Sequence, residues 1–143
     1  MIFIYMAFVS LIFSSCMKGN QETRIFAEGN VNSTKEYIEN NIYIDDNIET
    51  LINNFKNPEA LNSENTAKMK AAVYRFYKNV SVENGLYVCN ISKGEDINVS
   101  QEIFNALSSN LQEMNHLIQE AKEKGETIVI SEPDEEYLNS LLK

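Results

Sequence analysis

The chain has 143 residues, enough for one domain. It carries 12 basic and 21 acidic residues, a net charge of -9 at pH 7. This balance argues against binding to nucleic acid, because such binding needs Lys and Arg to neutralise phosphates, and against electrostatic docking on anionic lipid. Hydrophobic residues make up 43% of the chain, so we expect a folded core rather than a disordered polyelectrolyte.

The N-terminal segment has the composition of an export signal. Residues 1–15 contain no charged side chain, and the apolar run at residues 2–13 is too short for a hydrocarbon core that needs roughly 20 residues. It has the length of the apolar part of a signal peptide, about 7–15 residues. Two serines then lead to Cys16. Small residues suit cleavage by a membrane peptidase, and acyl chains on the Cys16 thiol would anchor the protein by about 0.8 kcal/mol per buried CH₂.

The Phe-Ser-Ser-Cys sequence at residues 13–16 resembles a lipobox. With the polar stretch that follows and the Asn-, Lys- and Ile-rich remainder, it resembles the small surface lipoproteins of spirochaetes such as Borrelia, or Bacteroidetes-type lipoproteins. Phe13 stands where Leu is usual, and no Lys or Arg precedes the apolar run. The resemblance implies a lipid on Cys16, display on a bacterial membrane surface and binding of macromolecules. An uncleaved apolar anchor or a buried N-terminal helix is the alternative.

These features divide the chain into three parts. Residues 1–15 are the predicted signal peptide, residues 16–32 the lipidated Cys16 with a flexible polar tether, and residues 33–143 a single globular domain. A lipidated Cys16 leaves Cys89 without an intramolecular partner, so we expect no disulfide. Cys89 lies in an apolar stretch and is interpreted as a small core residue, with a reactive or dimer-forming thiol as the alternative.

Apolar spacing predicts two helical regions in the first half of the domain. The first covers residues 34–56, and Asp45 and Asp46 would suit a second start if the region breaks near residue 44. Its apolar face comprises Ile44, Ile48, Leu51, Ile52 and Phe55. The second covers residues 63–79 or slightly more, with Arg75 among the basic residues placed away from the buried face. That face comprises Met69, Val73, Phe76, Tyr77 and Val80.

The second half of the domain begins with a turn signal. Asn84-Gly85 predicts either a left-handed helix stop or a type I′ hairpin turn. The apolar residues 86–91 after it predict a strand, and residues 93–96 a loop. Residues 127–130 predict another strand.

The clearest helix begins after the N-cap Ser100 and ends before Gly125. Its apolar stripe comprises Ile103, Leu107, Leu111, Met114, Leu117, Ile118 and Ala121. A short terminal helix starts within residues 131–134 and carries Tyr137, Leu138, Leu141 and Leu142. The expected fold class is therefore α+β, a small helix-dominated domain with two or three short strands.

The search for chemistry predicts no catalytic residue, metal site or cofactor. Asp96, Asn98 and Ser100 match the first three ligand positions of an EF-hand loop, but the positions that need Gly and Glu hold other residues. His116 is the sole histidine and its helix neighbours supply one carboxylate. A surface or partly buried histidine is therefore favoured over a ligand or a catalytic base.

The densest acidic cluster lies near the C-terminus and comprises Glu132, Asp134, Glu135 and Glu136. We favour a solvated helix start, where negative charge is stabilised by the helix dipole. The alternatives are a binding site for a basic partner, or paired carboxylates, which perform glycosidase chemistry only when burial raises the pKa of one of them.

The sequence thus predicts a membrane-anchored lipoprotein, on the outer membrane or cell surface rather than the inner membrane. Its domain would be a non-enzymatic binding module for an unidentified protein partner. One alternative is a periplasm-facing inhibitor or immunity-type protein that neutralises a basic enzyme. A third is a small hydrolase, which would need a pocket containing His116 or a buried carboxylate pair.

Overall fold

The computed structural model describes residues 2–3, 32–45, 47 and 63–142. In chain order the elements are β1 (Ile2–Phe3), α1 (Thr34–Glu39), α2 (Ser63–Tyr77), β2 (Val80–Glu83), β3 (Leu86–Cys89), a 3-10 helix (Gly94–Ile97), α3 (Gln101–Glu123), β4 (Ile128–Val129) and α4 (Glu135–Ser140). The prediction of a small helix-dominated α+β domain is confirmed. No helix in the described part of the chain is long and apolar enough to cross a membrane.

The longest helix, α3, follows its sequence signals closely. The Ser100 hydroxyl accepts a hydrogen bond from the Ile103 amide at 3.3 Å, as an N-cap does. Gly125 lies just beyond the helix with φ of 75°, in the left-handed conformation predicted for it. Phe104 is buried although the predicted stripe omitted it, whereas Leu117 is only half-buried.

Helix α1 is much shorter than the predicted helical region of residues 34–56, so a continuous helix is wrong in the described part of that region, and the alternative of a break near residue 44 agrees with the structure. The chain turns at Asn41, with φ of 52°, and the Ile42 amide donates to the Tyr37 carbonyl at 3.0 Å. This is the bond pattern of a helix C-terminus closed by a left-handed residue. Ile44 therefore lies on no helix, and forms a parallel β-bridge with Val99. The rest of the predicted face lies outside the described residues: Ile48, Leu51, Ile52 and Phe55.

Helix α2 ends at Tyr77 and an antiparallel hairpin follows. Val80, predicted on the helix face, is buried but begins β2 and pairs with Cys89 at the end of β3. Asn84 and Gly85 both have positive φ, 52° and 70°, so the hairpin alternative of the Asn-Gly signal is confirmed as a type I′ turn. The predicted loop at residues 93–96 mostly forms the 3-10 helix.

One buried charge connects the two halves of the described domain. Arg75, predicted off the buried face, is only 7% exposed. Its Nη1 donates to the carbonyl oxygens of Ile42, Ile97 and Asn98 at 3.0, 3.3 and 3.1 Å, and its Nη2 donates to the carbonyl of Tyr37. These acceptors lie at or just beyond the C-terminal ends of α1 and the 3-10 helix, the ends that carry the negative side of the helix dipole. Burial lowers the pKa of the Arg75 guanidinium.

The loops around Arg75 also bind each other. The side-chain amide of Asn98 donates to that of Asn41 at 2.7 Å. The Ile44 amide donates to the Asn98 carbonyl at 3.0 Å, and the Ser100 amide donates to the Ile44 carbonyl at 2.8 Å. The backbone is so close at Gly94 that a Cβ there would lie 2.5 Å from a carbonyl oxygen five residues further on. Glycine is therefore required at this position.

We expect Arg75→Met to lower the free energy of unfolding by about 3 kcal/mol or more, because the carbonyls of Ile42 and Ile97 lose their donor. The Tyr37 and Asn98 carbonyls lose one of two hydrogen bonds, since each keeps a backbone donor. Urea denaturation followed by circular dichroism measures the loss. Lys78→Met, an exposed substitution just beyond the same helix, is the control and should change stability by less than about 0.5 kcal/mol. A loss for Arg75→Met no larger than that of the control would contradict the role assigned to Arg75.

Candidate functional site

The four residues of the predicted acidic cluster are all exposed, but they do not act as one group. Asp134 is the N-cap of α4, and its Oδ1 accepts from the Tyr137 amide at 2.7 Å. Glu135 and Glu136 follow in the first helical turn, where the dipole favours negative charge. Glu132 instead bonds to the hairpin: its Oε1 accepts a hydrogen bond from the Val82 amide, on the outer edge of β2, at 3.2 Å. This placement favours a solvated helix start over a buried carboxylate pair.

The opposite edge of the hairpin is covered by a residue that sequence reasoning missed. The side-chain amide of Asn115, on α3, accepts from the Tyr87 amide and donates to the Tyr87 carbonyl, both at 2.8 Å. It thus bonds to β3 as a neighbouring strand would. At the tip, Lys122 Nζ donates to the Gly85 carbonyl at 2.9 Å. The one sequence signal for this role is the position of Asn115 next to the apolar stripe of α3, a flank that is half-buried in the structure.

The residues tested for metal or acid–base chemistry have structural roles or face solvent. Asn98 binds Asn41 and Ser100 caps α3, so two of the three EF-hand-like positions are engaged in the fold. His116 is on the exposed face of α3, with Nδ1 3.7 Å from the Glu120 carboxylate. Within the described residues, no group of three or more His, Cys, Asp or Glu side chains could hold a metal ion.

The structure describes one of the two cysteines, Cys89. Cys89 is a half-buried free thiol packed against the margin of the core, which agrees with its interpretation as a small core residue. Cys16, the predicted lipidation site, lies outside the described residues. Its role stays a prediction.

The sequence on either side of β4 is rich in acidic residues. Residues 120–136 hold seven acidic and two basic residues. Both basic residues are engaged, Lys122 with the hairpin tip and Lys124 at 4.0 Å from Glu120. Within this acidic segment, Ile128 and Ile130 pack against the core while Val129 is 42% exposed. β4 is therefore an apolar strand whose flanking sequence carries a strong net negative charge.

β4 pairs with a strand from the start of the chain. β1 runs parallel to β4, with Ile2 opposite Ile128 and Phe3 opposite Val129. The two strands form a sheet of their own, separate from the β2–β3 hairpin. One edge of β4 is therefore occupied by backbone from within residues 1–15, the segment that sequence reasoning assigned to the signal peptide.

Helix α4 packs against the domain through the half-buried Tyr137, which contacts the buried Tyr77. The ring of Tyr137 packs edge-on against that of Tyr77, with centroids 6.2 Å apart. Burial raises the pKa of both hydroxyls well above the ordinary value. The hydroxyl of Tyr137 is buried without a hydrogen-bond partner among the described residues, whereas the Tyr87 hydroxyl donates to the Ser131 carbonyl at 3.1 Å.

Comparison with protein-family models, with curated proteins and with solved structures finds no significant match to this chain. A functional proposal must therefore be argued from the residues of the chain itself.

The two hydroxyls predict opposite effects when they are removed. Tyr137→Phe should leave stability unchanged or raise it by about 1 kcal/mol, because it removes an unsatisfied buried group. Tyr87→Phe should lower it by about 1 kcal/mol, because it leaves the Ser131 carbonyl without its donor. Thermal and urea unfolding of the two variants provide the test. Equal losses for both would show that the Tyr137 hydroxyl has a partner.

The raised pKa values of Tyr77 and Tyr137 also predict a loss of stability in alkali. The unfolded chain releases tyrosine protons near pH 10, whereas the raised pKa values of Tyr77 and Tyr137 keep them protonated in the folded state. Their contribution is present below pH 10 and is lost above it, by up to about 1.4 kcal/mol per pH unit for each group. Unfolding free energies measured from pH 8 upward should fall less steeply in a Tyr77→Phe, Tyr137→Phe double variant. An unchanged slope would rule out this source.

Proposed function

We propose that the chain is a membrane-anchored lipoprotein, acylated at Cys16 and displayed at a bacterial surface, whose domain at residues 33–143 is a non-enzymatic binding module. The observation that carries the proposal is the uncharged apolar stretch at residues 2–13 followed directly by Ser-Ser-Cys. Its length suits a cleaved signal and not a full span.

The organisation of the described domain supports this division of the chain. Its core runs from Tyr37 to Leu141, and these buried side chains pack against one another. The hydrogen bonds of Arg75 connect parts of the chain that all lie after residue 36. These internal connections support a domain that is carried on a lipidated N-terminal segment.

The acidic surface supports a binding role. The carboxylates of the predicted cluster are exposed, and they precede α4, cap it or lie in its first turn. Exposed carboxylates keep ordinary solvation and suit pairing with a basic partner, whereas a glycosidase-type acid needs burial. A lipid on Cys16 would confine this surface to a membrane and raise its effective concentration near partners there.

Mass spectrometry of the protein purified from a bacterial host that processes lipoproteins tests the anchor. We expect the native N-terminus to be acylated Cys16, with residues 1–15 removed and the protein in the detergent phase. Cys16→Ala should lose the acyl mass and move to the aqueous phase.

Cys89→Ala is the matched control, because it removes the other thiol and should keep the lipid. A native protein that retains residues 1–15 and carries no acyl mass would overturn the proposal, and the N-terminal segment would then be an anchor or a core element.

A further inference from the structure

The edge of β4 has the properties of a strand that accepts another chain. Its sequence, Thr127-Ile-Val-Ile at residues 127–130, is entirely β-branched and carries no charge. Inward and outward residues alternate, with Ile128 and Ile130 against the core and the exposed Val129 between them. Natural proteins blunt exposed edges with Lys, Pro or bulges, because unpaired backbone groups recruit other strands. The run at residues 127–130 contains neither Lys nor Pro.

The structure shows an extended segment seated on this edge. Ile2 and Phe3 pair with Ile128 and Val129 in parallel register. That segment belongs to residues 1–15, so the cleavage at Cys16 proposed above removes it and leaves the edge open. The inference therefore rests on the proposed function.

The charge near β4 indicates what kind of strand would replace β1. Glu126 precedes β4, while Asp134, Glu135 and Glu136 follow it, and all four are exposed. The two lysines of the segment are engaged by the hairpin tip and by Glu120. An incoming strand with Lys or Arg would find carboxylates before and after the edge, whereas an acidic strand would be repelled.

We propose that in the mature protein the freed edge of β4 binds an extended, Lys- or Arg-rich segment of a partner protein, which adds as a parallel strand in place of β1. Backbone hydrogen bonds to β4 supply the affinity, and the surrounding carboxylates select a basic segment. Val129 contacts the outward-facing apolar side chains of the added strand.

The test titrates the mature, lipidated protein in non-ionic detergent with a fluorescently labelled peptide in which Lys and Val alternate. We expect saturable binding that weakens as salt is raised. The matched peptide with Glu in place of Lys should bind at least about tenfold more weakly. Hydrogen exchange should slow at the amides of residues 127–131 when the Lys peptide is bound.

Substitutions locate the site. Val129→Lys places a cation on the edge and should weaken binding of the Lys peptide at least about tenfold. Tyr43→Lys makes the same kind of change at another exposed residue, 51% exposed, and should leave binding unchanged. The double change Glu135→Gln, Glu136→Gln should weaken binding about threefold without disturbing the strand. Circular dichroism establishes that each variant is folded.

The outcomes separate this inference from the anchoring proposal. Acylated Cys16 together with equal binding of Lys and Glu peptides, or with no effect of Val129→Lys, would show that the protein is anchored but that β4 is not the docking strand. Self-association abolished by Val129→Lys, without peptide binding, would assign the edge to a second copy and overturn the basic partner. Residues 1–15 retained on the native protein would overturn both proposals.

Discussion

The domain depends on a buried guanidinium, which donates hydrogen bonds to carbonyl groups at or just beyond the ends of two short helices. The C-terminal carbonyls of α1 and of the 3-10 helix converge on Arg75, and no carboxylate among the described residues forms an ion pair with it. Lysine could not replace it, because an ammonium offers three donors from one atom while the planar guanidinium offers five donors spread over a fork. The charge is tolerated in the interior because carbonyl dipoles surround it, a geometry that also fixes how far apart the two helix ends lie.

The start of α3 is fixed by the same arrangement. The 3-10 helix is held by Arg75, and its exit is bound to Ile44 at the point where Ser100 starts α3. α3 then reaches the hairpin, where Asn115 binds the edge of β3 and Lys122 binds the turn. The acidic segment and β4 leave the end of the same helix.

Local signals predicted much of this fold, and the errors have a common physical cause. The start of α3, its end at Gly125 and the Asn-Gly hairpin all depend on residues close in sequence, which is why their patterns were informative. The helix over residues 34–56 was predicted from the spacing of Ile44 onward, yet Asn41 closes α1 before that spacing begins. Val80 fits a helix face and a strand equally, since one apolar residue carries no period.

Long-range partners explain what no pattern could supply. Arg75 has the sequence environment of an exposed helical cation, and only its partners, the nearest of them 22 residues away, make its burial favourable. Asn115 resembles any polar residue beside an apolar stripe until β3 is placed next to it. The candidate site on β4 was only partly predictable for the same reason. The sequence indicated the strand and the acidic cluster. It did not indicate that Glu132 accepts a hydrogen bond from the hairpin, whereas Glu135 and Glu136 lie in the first turn of α4.

The β4 proposal is supported by the way in which the strand edges are covered. The outer edges of β2 and β3 are covered by side chains of the domain itself, Glu132 and Asn115. The edge of β4 is covered instead by backbone from Ile2 and Phe3. Signal cleavage would leave the first two covers intact and remove the third, so maturation would open one edge selectively. An open β-branched edge favours pairing with another strand, and the negative charge around it opposes pairing between copies while attracting a basic chain.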